Sequence, residues 1–199
     1  LADGCKEIWL SSTDNGCYGL DIGTDLPSLI NQVSQIPEKF KVRVGMMNPM
    51  FMPRIRNNLL KSFENDKVFR FLHVPVQSGS NNVLNHMKRG HTVETFRNVV
   101  RKFRVKFDSF TISTDIIVGY PTETQEDFEK TIELLNETRP DIVNLSRYSK
   151  RPGTEAAEMA QFQTGLARLQ AGLEQLQSGL ERLQTTGLEP FQNVLERLK

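Results

Sequence analysis

Two hydrophobic rhythms alternate along the chain as far as about residue 159. Short apolar runs with strand character give way to longer segments in which apolar residues recur three and four apart. Residues 7–10 read as a strand that breaks into the polar loop Ser11-Ser12-Thr13-Asp14-Asn15-Gly16. Residues 26–33 read as a helix, with Asp25 as N-cap and Pro27 just inside. Residues 41–45 are expected to be strand. Residues 53–63 are expected to be helix, with Ile55, Leu59, Leu60 and Phe63 on one face. A strand over 68–76 is followed by a short helix over 81–87. Thr92 caps a longer helix bearing Val93, Phe96, Val99, Val100 and Phe103. The β-branched run Thr111-Ile112-Ser113-Thr114 marks a strand over 110–118. Helix over 124–136, with Phe128, Ile132 and Leu135 inward, and strand over 141–148 complete the series.

That is five strands joined by four helical connections. Each helix returns the chain to the same end of the sheet, so the strands pair in parallel. The expectation is an α/β fold, a partial and open parallel βα barrel. An open arc leaves strand edges that need a cover.

From about residue 161 the rhythm changes. Thr164-Gly165-Leu166-Ala167-Arg168-Leu169-Gln170 is followed by two further seven-residue units with Leu spaced three and four apart, the seam pattern of a coiled coil. A glycine in each unit costs about 1 kcal/mol relative to alanine, and Pro190 ends or kinks the helix. The chain is therefore divided into a core over 1–159 and a helical heptad-like tail over 160–199. The tail is expected to pack on the core, on a helix partner or on another copy of itself as a homo-oligomer. It equally fits a fusion or an engineered end.

Composition narrows the picture. A net charge of +1 gives no global nucleic-acid signature, although local basic patches remain. No apolar run approaches the roughly 18 residues that span a membrane, so no membrane partner is expected. The start, a few residues before a strand and without signal-peptide character, suggests a piece of a longer protein. Cys5 and Cys17 stand twelve apart, matching no common zinc or iron–sulfur spacing. They read as free thiols of a cytoplasmic protein, and no metal ligands are assigned.

In parallel α/β folds, ligands bind at the C-terminal strand ends, so three loops are candidates. Asp14, beside Ser12 and Thr13, can hold an ammonium or ribose group, or can simply form an Asx turn. In Gln77-Ser78-Gly79-Ser80, small residues let a ligand approach the backbone, while Ser80 equally suits a helix cap. In Thr114-Asp115-Ile116-Ile117-Val118-Gly119, a strand carboxylate needs a partner, and Gly119 leaves room for a flat ring. Glu123 serves the next helix N-terminus. His73 is expected to be a satisfied core or layer residue, and His86 and His91 to lie at the surface. Lys88, Arg89, Lys150 and Arg151 form a basic rim for phosphates or a carboxylate, or a solvated one.

Several ordered motifs then carry a resemblance. Gly4-Cys5-Lys6-Glu7-Ile8-Trp9-Leu10, Asp14-Asn15-Gly16-Cys17-Tyr18-Gly19, Pro75-Val76-Gln77-Ser78-Gly79-Ser80, Met87-Lys88-Arg89, Thr114-Asp115-Ile116-Ile117-Val118-Gly119-Tyr120-Pro121 and Arg151-Pro152-Gly153-Thr154 occur in sequence. Together, residues 1–159 resemble the radical S-adenosylmethionine (SAM) core of the tRNA methylthiotransferases. The Trp9 strand, the run from Tyr18 to Thr24 and Asn48-Pro49 are most similar to the archaeal and eukaryotic branch, which acts on N6-threonylcarbamoyladenosine at position 37 of tRNA. The resemblance implies a barrel of the radical SAM type, SAM and [4Fe–4S] clusters as cofactors, and tRNA as partner. By position it places Ser12, Thr13 and Asp14 at the methionine amino group. Gln77, Ser78 and Ser80 fall near the ribose, and Asp115, Ile117 and Gly119 beside the adenine. Arg89, Tyr148, Lys150 and Arg151 become candidate ligand or tRNA contacts. The family's Cys-x3-Cys-x2-Cys loop is absent, as are its second cluster domain and its RNA-binding barrel. The expectation is therefore a fragment of a methylthiotransferase without radical chemistry of its own and with unknown catalytic residues. The competing reading is a scaffold that oligomerises through its tail.

Overall fold

A computed structural model describes residues 1–159. The expected heptad helix and its oligomeric role lie outside the described residues.

The expected alternation of strands and helices is present. The order is β1 (Glu7–Leu10), α1 (Leu26–Ser34), β2 (Lys41–Val44), α2 (Met52–Ser62), β3 (Phe71–His73), α3 (Asn81–His86), α4 (Val93–Lys106), β4 (Thr111–Val118), α5 (Gln125–Thr138), β5 (Ile142–Arg147) and α6 (Glu155–Glu158). β1 pairs with β2, and β3, β4 and β5 pair in that order, all in parallel. A parallel bridge between Val42 and Val68 joins the two groups. The Met47 N–H, which donates to the His73 carbonyl at 3.0 Å, adds a second tie. The strands thus lie in chain order along one open arc.

Side-chain caps start α1, α3, α4 and α5. Asp25 accepts from Ser28 N–H at 2.9 Å, with Pro27 in the first turn. Thr124 and Asp127 form a reciprocal capping box at α5. Val42, Val44, Ile112, Ile116 and Val118 point from the strands into the layer packed by the helices. There Leu26, Ile30, Ile55, Leu59, Phe96 and Val99 are almost completely buried. Phe63, Phe103 and Phe110 close one end as edge-on rings, with Phe103 and Phe110 centred 4.9 Å apart.

The expected strand over 68–76 is corrected. Only Phe71–His73 is regular. A tight turn, with Phe71 N–H donating to the Phe69 carbonyl, breaks it below. Above, the Thr114 hydroxyl donates to the Val74 carbonyl at 3.0 Å and accepts from Val76 N–H at 3.1 Å. A side chain there replaces part of the ladder. The backbone rejoins β4 at Gln77, at a positive φ of 74°.

A candidate cofactor site at the strand ends

Alternation along the strands builds the site. The even-numbered residues of β2 and β4 face the helices, so the odd ones face the concave side. Cross-strand register aligns Trp9 with Arg43, His73 with Ser113, and Asp115 with Asn144. This face is polar and half-exposed, in contrast to the apolar layer behind it.

Asp115 is its centre. One carboxylate oxygen, Oδ1, meets His73 Nε2 at 2.8 Å and accepts from Asn144 Nδ2 at 2.8 Å. No described residue engages Oδ2. Burial pushes the Asp115 pKa up, but the His73 and Asn144 hydrogen bonds and the charges of His73 and Arg89 outweigh it. The carboxyl is held below its ordinary range. Asp115 is therefore an oriented anion with one free oxygen.

Above it, the chain after β4 turns at Gly119, whose φ is 74°. A Cβ built there would meet nothing within 4 Å, so the glycine faces open space. The Gly119 N–H donates to Glu123 Oε2 at 2.6 Å. Glu123 thus fixes the turn rather than serving the helix alone. The Tyr120 hydroxyl donates to the His86 carbonyl at 3.0 Å, and its ring packs edge-on against Tyr148 at 5.3 Å.

Two polar atoms in this region lack partners. Arg89 Nε and the Tyr148 hydroxyl oxygen are both buried and unbonded. Burial lowers the Arg89 pKa, opposed by Asp115 and Tyr120. Buried donors without acceptors cost about 1–3 kcal/mol each.

The remaining candidates divide. Asp14 Oδ1 accepts from Gly16 N–H at 2.8 Å and Asn48 N–H at 3.1 Å, tying the β1 loop to the β2 loop. Ser12 and Thr13 stand exposed beside it, and Ile117 is half-buried. Ser80 donates to Asp127 at 2.5 Å and caps α3. Ser78 Oγ lies 3.4 Å from Thr131 Oγ1. Both serines are buried and committed to α5, and Gln77 is buried too, at 7% exposure, with its backbone bonded to β4. Lys150 and Arg151 are exposed, and Lys88 pairs with Glu155 at the rim.

The surface expectation for His86 and His91 is corrected, since both are partly buried. His73 is a satisfied layer residue, partly buried and bonded to Asp115. His91 is half-buried, with its ring nitrogens 3.2 Å from the Arg89 and Val76 carbonyls. His86 Nδ1 lies 3.1 Å from the Thr122 hydroxyl. His73, Asn144 and Arg43 were missed as site residues. The detectable signal was their placement opposite the apolar positions of their strands.

Cysteine chemistry does not fit a cluster. Cys17 Sγ donates to the Asp14 carbonyl at 3.2 Å, and Cys5 is exposed. No group of three metal-ligating side chains occurs among the described residues. A [4Fe–4S] cluster needs thiolates that these two cysteines do not provide.

Comparison with known proteins agrees. Residues 2–135 match the Radical SAM superfamily. A Pyrococcus abyssi protein named probable threonylcarbamoyladenosine tRNA methylthiotransferase is 49% identical over 161 residues. The match covers 81% of this chain and 38% of that protein. An Archaeoglobus fulgidus protein of the same name is 54% identical, over 78% of this chain and 37% of its own length. The Drosophila melanogaster threonylcarbamoyladenosine tRNA methylthiotransferase is 44% identical, over 83% of this chain and 30% of its own. This chain thus spans less than two fifths of these relatives. In fold it resembles the radical SAM enzyme coproporphyrinogen III oxidase of Escherichia coli, with a TM-score of 0.61 at 20% identity. That likeness covers 76% of this chain and 37% of the oxidase. The family match over residues 2–135 and these identities show that the chain belongs to the radical SAM superfamily, among relatives named threonylcarbamoyladenosine tRNA methylthiotransferase.

Proposed function

We propose that this chain carries the SAM half-site of a tRNA methylthiotransferase. The parent activity is installation of a 2-methylthio group on N6-threonylcarbamoyladenosine at position 37, in the cytoplasm. Among the described residues no helix is long and apolar enough to cross a membrane. The observation that carries the reading is the cradle: Gly119 open above Asp115, with Arg89 Nε buried beside it and unbonded.

In this superfamily bound SAM, with a reduced [4Fe–4S] cluster, is the source of an adenosyl radical. The residues here supply binding and orientation. Asp115 Oδ2 accepts from a donor on the nucleoside while Oδ1 stays locked to His73 and Asn144. Gly119 and Ile117 offer a flat surface for the adenine. Gln77, whose backbone is pinned to Asp115 and Ile117 at 2.8 and 2.9 Å, lines the ribose side. Ser78 and Ser80 hold that loop from behind. Arg89, joined by the Tyr148 hydroxyl, takes the ligand carboxylate. The Ser12, Thr13 and Asp14 loop faces the amino group. Lys150 and Arg151 remain outside as phosphate contacts for tRNA. With two cysteines, the 199-residue chain binds the cofactor but does not carry out the radical step.

Calorimetric titration of SAM into the 199-residue chain tests this. Saturable binding is expected, weakened at least ten-fold, roughly, by Asp115→Asn through loss of a charge-assisted hydrogen bond. No binding to a folded chain, or equal binding by the variant, overturns it.

A further inference from the structure

The cradle uses only one half of the concave face. The other half, on β1, β2 and β3, carries a distinct arrangement. The Arg43 guanidinium lies 4.5 Å from the centre of the Trp9 ring and 4.4 Å from that of Phe71. It is held between two aromatic faces. Among the described residues, no carboxylate or carbonyl pairs with it. Lys41, on the same face, is bonded to the Asp66 carbonyl. Trp9 is 61% exposed, although it faces the concave side of a folded sheet. Its indole N–H is turned to Glu7, and Arg43 covers one ring face, so a ligand meets the exposed remainder of the ring.

An arginine stacked on aromatic rings is weakly hydrated and keeps its planar fork of donors aligned. That fork matches a carboxylate bidentately. Such a cation, left without an anion beside an exposed indole, suits a ligand that is flat at one end and anionic at the other. From Phe71 the chain runs two residues to His73, which meets Asp115. The anion anchor and the cofactor cradle therefore share one surface.

We propose that Arg43, held between Trp9 and Phe71, is the specificity-determining residue that takes the carboxylate of the threonylcarbamoyl group. This rests on the methylthiotransferase reading above. The threonylcarbamoyl substituent is a planar urea ending in a carboxylate. Its urea lies against Trp9 and its carboxylate meets Arg43. A nucleoside with an apolar N6 group leaves Arg43 covered and unpaired, so the same contact rejects it. The competing anion for this arginine is a tRNA phosphate, and a mononucleotide probe separates the two.

Trp9 is the only tryptophan in the chain, so its emission reports occupancy directly. The full 199-residue chain is titrated with N6-threonylcarbamoyladenosine, adenosine, N6-isopentenyladenosine and adenosine 5′-monophosphate. Saturable change with the first alone is expected. Arg43→Gln weakens that binding at least ten-fold, roughly, and Arg43→Lys weakens it less. Circular dichroism melts establish that the variants remain folded. Equal binding of adenosine or isopentenyladenosine, tighter binding of the monophosphate, or unchanged affinity in Arg43→Gln overturns the proposal. A SAM titration of the same samples separates the two readings. Intact cofactor binding without nucleoside discrimination overturns the role of Arg43 alone. Loss of both in a folded chain overturns the methylthiotransferase reading with it.

Discussion

At the scale of single residues, two glycines carry different constraints. Gly79 sits where a Cβ would come within 2.4 Å of the Lys130 carbonyl and of Thr131 Cα, both in the α5 backbone. Gly119 has open space but a φ of 74°. Gly79→Ala is therefore expected to cost about 3 kcal/mol or more, because backbone must move. Gly119→Ala is expected to cost about 1 kcal/mol from backbone strain while abolishing SAM binding, since the new methyl enters the cradle. Chemical denaturation together with calorimetry checks the pair. If Gly119→Ala binds as well as the parent chain, the ring-facing role of that glycine is wrong. The sequence points to Asp115 and Gly119 as candidates, because a carboxylate and a glycine stand at a strand end, and the structure places both on the β4 end. The sequence does not point to His73 and Asn144. Their partner is Asp115, which is 42 and 29 residues away, and only strand register brings them together. Ser80 is the helix cap that the sequence also allowed, and Ser78 lies against Thr131; a hydroxyl at a strand end looks the same whether it meets a ligand or the scaffold.

At the scale of elements, the loop between β3 and α3 is held by α5. Asp127 accepts from Thr124 N–H at 3.1 Å within the capping box and from the Ser80 hydroxyl at 2.5 Å. One carboxylate thus caps its own helix and secures the cap of another. Asp127→Ala is expected to cost about 2–3 kcal/mol, through the lost cap and a buried hydroxyl left unpaired. Ser80→Ala alone is expected to cost about 1 kcal/mol. The double variant should be less destabilised than the sum, because the two share one hydrogen bond. Urea midpoints at constant slope measure this, and strict additivity contradicts the coupling. The helices were read from the sequence nearly to their ends, because caps and apolar spacing are local signals. The strand over 68–76 was over-read. Val68, Leu72, Val74 and Val76 are core, while Phe69 and Phe71 are only partly buried, and the turn at Phe69 and the substitute bonds from Thr114 depend on neighbouring strands.

At the scale of the whole molecule, titratable groups set the response to acid. Burial works to raise the Asp115 and Asp127 pKa values, but their hydrogen bonds outweigh it and hold both below the ordinary range. Each contributes stability that is complete above the unfolded value of about 3.9 and lost as pH falls through the folded one. His91 is lowered by burial, partly offset by the Val76 and Arg89 carbonyls. Its contribution is present above about 6.5 and declines first on acidification. Melting temperature should therefore fall in two stages, with the upper stage removed by His91→Gln. A single stage below about pH 4 in the parent chain contradicts the role of His91. The open arc of five parallel strands was foreseen from alternation, because the βα rhythm fixes strand direction. The division of its concave face, with a cation between aromatic rings on one side and a fixed carboxylate on the other, emerges only when β1 to β5 are laid side by side. The central claim is that SAM sits at the β4 end of that face. The most direct test is amide hydrogen exchange with and without SAM. The account predicts added protection in segments 76–80, 89–91 and 117–123. Protection confined to the α4–α5 surface, or none at saturating SAM, contradicts it.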